Sequence, residues 1–332
     1  MPCLSGLVSE SRKPKEINTV RILMFGAGVV GTLYGWALTR AGHDVRLLVK
    51  PSNRGRFEDG PIKISIIDAR TSRHSRSWDE FSPVLVETFY PNDNYDLILV
   101  TVKHDQTTEA LPALKQTADR ALILFFGNHW DDLDEIKRQL GETYVLGSPR
   151  GGGAFSNHTI SGGLTPDITL GEPSGELTDR IKRIARLFRQ AGFKPRIEKD
   201  IVRWLYVSFA QNCAMVGAST KARGYQNLAS DPAAIRDLYD ATREALAIVR
   251  GRGIDPTAVG QARSFYYIPK RLFVPLFRRL ATREEILAMA DGHTRYAPAE
   301  MKRIYYDVLN TGERLGIATP TLKRYKPFID EL

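Results

Sequence analysis

The sequence predicts an α/β domain followed by an all-α domain, and three observations carry that prediction. Short apolar runs alternate with helical segments through the first part of the chain. Three glycines, Gly26, Gly28 and Gly31, interrupt the first apolar run and open the first helix. From about residue 198 onward nearly every segment has apolar residues at helical spacing, so the strands stop there.

The elements follow in order. Arg21 to Phe25 is a short apolar strand, Val29 to Ala41 reads as a helix stopped by Gly42, and Asp44 to Val49 is a second strand. The intervening G-x-G-x-x-G is weak alone, but between a strand and a helix it marks the β-α-β unit of a dinucleotide-binding, Rossmann-type domain. The first glycine makes the tight turn, the second lets the backbone approach a pyrophosphate, and the third lets helix and strand pack closely. The unpaired N–H groups of the helix start, contributed by Ala27, Gly28, Val29, Val30 and Gly31, favour an anion.

An NAD-binding chain usually has Asp or Glu about 20 residues further on, accepting from the ribose hydroxyls. This chain has Lys50 there, nineteen positions after Gly31, followed by Ser52, Asn53 and Arg54. Cations favour the extra phosphate of NADP, so NADPH/NADP is the expected cofactor.

"IKISIIDAR" and "PVLVETFY" read as strands, either a hairpin or a continuation of the sheet. "YDLILVTVK" and "ALILFF" are almost wholly apolar, as strands buried on both faces are. "TEALPALKQTA" and "WDDLDEIKRQLG" are helices, and "YVLGSP" and "DITLGE" are short strands around a glycine-rich link, "RGGGAFSNHTISGG". "LTDRIKRIARLFRQAG" is an amphipathic helix closing the first half. The expected division is a tail over residues 1–19, an NADP-binding domain over 20–197 and an all-α domain over 198–332, serving substrate binding and dimerisation.

Composition bounds the function. The 332-residue chain is long for one core, and 42% hydrophobic with 26% charged residues is ordinary for a globular protein. The net charge of +9 is dispersed rather than built into a nucleic-acid module, so no nucleic-acid partner is expected. Only Cys3 and Cys213 are present, too few for a disulfide framework or a cysteine metal site, which points to a reducing cytoplasm and no metal. No apolar run reaches membrane-spanning length, and the polar, basic N-terminus lacks the apolar core of a secretory signal.

Over roughly residues 20 to 325 the chain resembles the ketopantoate reductase (2-dehydropantoate 2-reductase) family, NADPH-dependent enzymes with a Rossmann domain and an all-α C-terminal domain. "MFGAGVVGTLYGWALTRAGHDVRLLVK" is similar to the family's opening, including the basic Lys50. "LVTVKHDQT" matches its strand ending in lysine, which implies Lys103 beside the nicotinamide ribose and substrate. "FFGNHWDDLDEI" stands where the family has an Asn-Gly loop, in the order Gly127-Asn128, and implies Asn128 as a substrate contact. "GERLGIATPTLKRY" resembles the closing Gly-x-x-Thr-Pro segment, and sixteen positions before Gly316 stands Glu300, where the family has a carboxylate near the reacting carbon.

The resemblance departs at the catalytic helix. Where the family has a Trp followed two residues later by a lysine and then by two asparagines, "RWLYVSFAQNCAMVG" has Trp204, Tyr206, Ala210 and Ala214. A one-residue gap brings Asn212 inward. Tyr206 and His293, seven residues before Glu300, are the candidate proton donors for the oxyanion, with Lys103 as a neighbouring cation. The expected activity is NADPH-dependent reduction of a C=O or C=N group of a small molecule other than ketopantoate. The alternatives are a true ketopantoate reductase with a rearranged donor, and a non-catalytic NADP-binding regulator.

Overall fold

The structure is a computed structural model, which describes residues 19–58, 60–70, 76–103, 106–284, 286–288, 290 and 298–332. The expected tail over 1–19 and Cys3 fall almost wholly outside these, as does His293.

The sheet grows outward from β1 (Arg21–Phe25). Residues alternate across it: Ile22 and Met24 belong to one buried cluster, Leu23 to the other. Helix α1 (Val29–Arg40) leads into β2 (Asp44–Leu48), which pairs in parallel with β1. The chain then makes β3 (Ile62–Asp68), β4 (Arg76–Phe81) and β5 (Val84–Val86) before returning to the far side of β1 as β6 (Leu97–Val100). Helix α2 (Thr107–Lys115), β7 (Leu122–Phe126), α3 (Leu133–Leu140) and β8 (Tyr144–Ser148) extend the sheet, with β6, β7 and β8 parallel to one another. β9 (Gly151–Ser156) and β10 (Thr159–Leu164) leave it. β11 (Asp167–Gly171), α4 (Asp179–Gln190) and β12 (Lys194–Ile197) close it. The strand order is β12-β11-β8-β7-β6-β1-β2-β5, with β11 antiparallel to β8. The chain turns from one side of β1 to the other between β2 and β6, and the crevice at such a switch point is where ligands of these sheets bind.

A second sheet, β4-β3-β10-β9, departs from the sequence reading. "IKISIIDAR" and "PVLVETFY" do not pair with each other: the first is β3 of this sheet, and the second supplies β5, which pairs with β2 in the large sheet. The glycine-rich link is an antiparallel hairpin, in which a side chain at Gly162 would stand 2.0 Å from the Gly152 carbonyl oxygen. Glycine is needed for that approach, yet the same glycines make the segment look like a loop in sequence.

After β12 the described chain is helical. Helix α5 (Ile201–Lys221) is capped by Asp200, whose carboxylate accepts from the Arg203 amide at 3.0 Å. α6 (Tyr225–Ser230), α7 (Pro232–Gly251), α8 (Gly260–Tyr267), α9 (Lys270–Ala281), α10 (Pro298–Arg314), α11 (Pro320–Lys323) and α12 (Lys326–Asp330) follow. One continuous buried cluster joins Leu23, Ile98, Phe125 and Leu146 of the sheet to α5 and α7, so the helical region is packed onto one sheet face. No helix of the described residues is long and apolar enough to cross a membrane.

Candidate active site

The cofactor side is built where β1 and β6 end together. Thr101, just beyond β6, donates its hydroxyl to the Gly26 carbonyl at 2.8 Å and ties the glycine turn to the neighbouring strand. Gly26 has φ +124°, a conformation suited to glycine. A side chain at Gly31 would stand 1.9 Å from the Gly26 carbonyl oxygen, whereas one at Gly28 would meet nothing within 4 Å. The third glycine is therefore closed by packing and the second faces open space. Helix α1 follows Gly28 with no side-chain cap and no acid in its first turn, leaving its N–H groups free for an anion. Ala27, Val29 and Val30 pack on the cluster beneath. These features fit a dinucleotide pyrophosphate.

Lys50 and Arg54 stand at the carboxyl end of β2, Arg54 within a 3-10 turn over Pro51–Phe57. Both are exposed, and both have acidic neighbours: Lys50 lies 3.8 Å from Glu109, and Arg54 pairs with Glu58 and Glu87.

The substrate side is assembled from distant parts of the chain. Lys103, just after Thr101, lies 3.6 Å from the Glu300 carboxylate in the first turn of α10. Asn212 on α5 donates from Nδ2 to Asn128 Oδ1 at 3.2 Å. Glu300, Asn128 and Asn212 line one cavity of about 170 Å³. Its remaining wall is largely apolar, with Met215, Val216, Met301 and Ile304, while Ser219 and Tyr225 add hydroxyls. Burial pushes the Tyr225 phenol up to about 12, so it stays protonated near neutral pH.

Four of the expected residues thus come together: Lys103, Glu300, Asn128 and Asn212. Tyr206 does not join them. It faces away from the cavity, with its ring edge-on to Trp130 at 5.5 Å and beneath the Arg252 guanidinium at 4.4 Å. Arg252 Nη2 donates to its hydroxyl at 3.5 Å, and burial, outweighing Arg252, raises its pKa. The cause is helix phase. Tyr206, Ala210 and Ala214 share the core-facing side of α5, while Asn212 lies about 200° round from Ala210. The cavity face is instead Asn212, Met215, Val216 and Ser219, at helical spacing. That spacing from Asn212 is the signal that could have found the wall residues.

A further cluster, not anticipated from sequence, sets the position of Asn128. Trp130 lies in the same loop, stacks on Phe209 at 5.2 Å and donates from its indole to Thr311 of α10 at 3.1 Å. Arg252, just past α7, lies 4.5 Å over the Trp130 ring and bonds Asp131 at 3.1 Å. Beside them, burial raises the Asp132 carboxyl, but the His129 ring at 2.6 Å and the Trp130 amide together hold it below its ordinary value. The loop carrying Asn128 is thereby docked onto α5, α7 and α10.

Residues 22–164, from β1 through the hairpin of the second sheet, match the family model described as "Ketopantoate reductase PanE/ApbA". Through these residues the chain is similar to the ketopantoate reductases. The ketopantoate reductase likeness extends beyond the matched segment. The chain is 24% identical to the 2-dehydropantoate 2-reductase of Aquifex aeolicus (strain VF5), over 91% of this chain and 93% of that protein. Solved structures with the same fold include 2-dehydropantoate 2-reductase from Geobacter metallireducens GS-15, with TM-score 0.66, 19% identity and 94% and 99% of the two chains covered. Another is D-mandelate dehydrogenase in a ternary structure with NADH and anilino(oxo)acetate, with TM-score 0.70, 14% identity and 94% and 97% covered.

Proposed function

We propose that this chain is an NADPH-dependent reductase of small 2-oxo acids that carry an apolar side chain. The observation that carries the reading is the Lys103–Glu300 pair, which joins the end of the β6 segment to α10 beside the Asn128–Asn212 amides and an apolar cavity. The nicotinamide supplies hydride when bound. Reduction of a carbonyl leaves an oxyanion, and a cation or proton donor must be poised for it. Lys103 Nζ takes that role, with Glu300 orienting the ammonium. The two amides bind the substrate's carboxylate, and Met215, Val216, Met301 and Ile304 receive its side chain and exclude water. The fold shared with D-mandelate dehydrogenase in complex with NADH and anilino(oxo)acetate, and with a 2-dehydropantoate 2-reductase, supports this substrate class.

Lys50 and Arg54 hold the 2′-phosphate of NADPH in this reading. Losing one charge-assisted hydrogen bond costs about 1.5 to 3 kcal/mol, so Lys50→Ala weakens NADPH binding roughly ten- to a hundredfold, with NADH affinity little changed. Fluorescence titration checks it, and equal losses for both coenzymes refute the phosphate assignment.

Ketopantoate carries a hydroxyl that the side-chain wall of Met215, Val216, Met301 and Ile304 does not reward. Assayed against a panel of 2-oxo acids, the protein is expected to turn over branched-alkyl and phenyl side chains, and ketopantoate with an efficiency below about 10⁴ per molar per second. A strong preference for ketopantoate would refute the apolar assignment, and failure to oxidise NADPH with any member of the panel would refute the reductase reading.

A further inference from the structure

The carboxylate that the sequence lacks at position 50 arrives from the next strand. β5 pairs in parallel with β2, Leu48 opposite Val86, and the Val49 amide donates to the Val86 carbonyl at 2.9 Å. Glu87 therefore leaves the sheet at the same carboxyl edge as Val49 and Lys50. Its carboxylate pairs with Arg54 Nη1, while Arg54 Nε donates to Glu58 at 2.8 Å. The guanidinium assigned to the 2′-phosphate is thus already engaged by two carboxylates.

We propose that Glu87 sets the coenzyme selectivity, lowering the preference for NADPH and admitting NADH, because it places a carboxylate at the ribose edge against the Arg54 guanidinium. The inference rests on the nicotinamide-coenzyme reading above. A carboxylate there accepts hydrogen bonds from free ribose hydroxyls, as the acid at the end of the second strand does in NAD-binding chains. It also repels a 2′-phosphate, which has to take Arg54 from Glu87 and then remain beside the released charge. With NADH, Arg54 keeps its carboxylate partner. With NADPH, it exchanges that partner for the phosphate.

The test compares kcat/KM and dissociation constants for NADPH and NADH in the wild type, Glu87→Gln and Arg54→Ala, with the best 2-oxo acid of the panel. Glu198→Gln serves as the charge control, since Glu198 follows β12 at the opposite edge of the eight-stranded sheet. Glu87→Gln is expected to raise the NADPH-to-NADH ratio about tenfold, through tighter NADPH and weaker NADH binding. A ratio within twofold of wild type, or an equal rise in Glu198→Gln, overturns the role of Glu87. The titrations need only folded protein, and Glu87→Ala gives the same direction if the glutamine variant is poorly behaved. The two readings fail separately: loss of NADPH affinity in Arg54→Ala with an inert Glu87→Gln refutes only the selector. An unchanged NADPH affinity in Arg54→Ala refutes the phosphate site itself.

Discussion

Replacing Lys103 by methionine is expected to lower the rate of the chemical step by about 10³-fold while NADPH still binds. Methionine keeps an unbranched apolar stem but deletes the ammonium that pairs with Glu300 at 3.6 Å. A carbonyl reduced beside an uncompensated carboxylate would develop its negative charge next to Glu300, so the loss falls on the transition state rather than on coenzyme affinity. Single-turnover oxidation of bound NADPH separates the two. Tyr206→Phe is the contrasting variant and should stay within a few-fold of wild type, because its hydroxyl faces Arg252 and not the cavity. A large loss in Tyr206→Phe with a small one in Lys103→Met would return the proton to the phenol and refute the site assembled here.

Gly31→Ala is expected to weaken NADPH binding by at least about a hundredfold and to lower the thermal midpoint as well. The new Cβ would stand 1.9 Å from the Gly26 carbonyl oxygen and 2.7 Å from the Thr101 hydroxyl, so helix α1 and the β1 turn must separate. Overpacking of this kind costs about 1–3 kcal/mol or more, and the obstructing atom is backbone, which cannot rotate aside. Opening that turn also moves the N–H groups that receive the pyrophosphate. Gly28→Ala separates binding from folding. Its Cβ meets nothing within 4 Å, so its thermal midpoint should match wild type while NADPH affinity falls. Wild-type stability and affinity in Gly31→Ala would show that the turn does not hold the coenzyme.

The coenzyme half of the fold was legible in sequence because its signals are local. Strand, glycine turn, helix and second strand follow one another within residues 21–48, and each has its own pattern. The second sheet was not, since Gly153 and Gly162 serve a close backbone contact that composition alone presents as a loop. In the candidate site, Lys103 and Glu300 were legible only through the family resemblance, because nothing near either residue announces the other. Counting from Trp204 does not give the helix phase of α5 that faces the cavity. The core takes Tyr206, Ala210 and Ala214, whereas the cavity is set by Asn212 and the residues three, four and seven positions beyond it. Trp130 and Arg252 carried no motif at all. Their contribution is the docking of one loop onto three helices, and that exists only once the chain is folded. Glu87 needed the pairing of β5 with β2 to reach the ribose edge.

The most direct test of the central claim is isotope transfer from NADPH deuterated at the nicotinamide C4 to a 2-oxo acid with a branched-alkyl or phenyl side chain. The wild type is expected to yield a 2-hydroxy acid carrying deuterium at C2, seen by mass spectrometry, with transfer lost in Lys103→Met under the same conditions. A protein that binds NADPH yet places no deuterium on any 2-oxo acid of the panel, or a Lys103→Met variant that transfers it at the wild-type rate, would contradict the account.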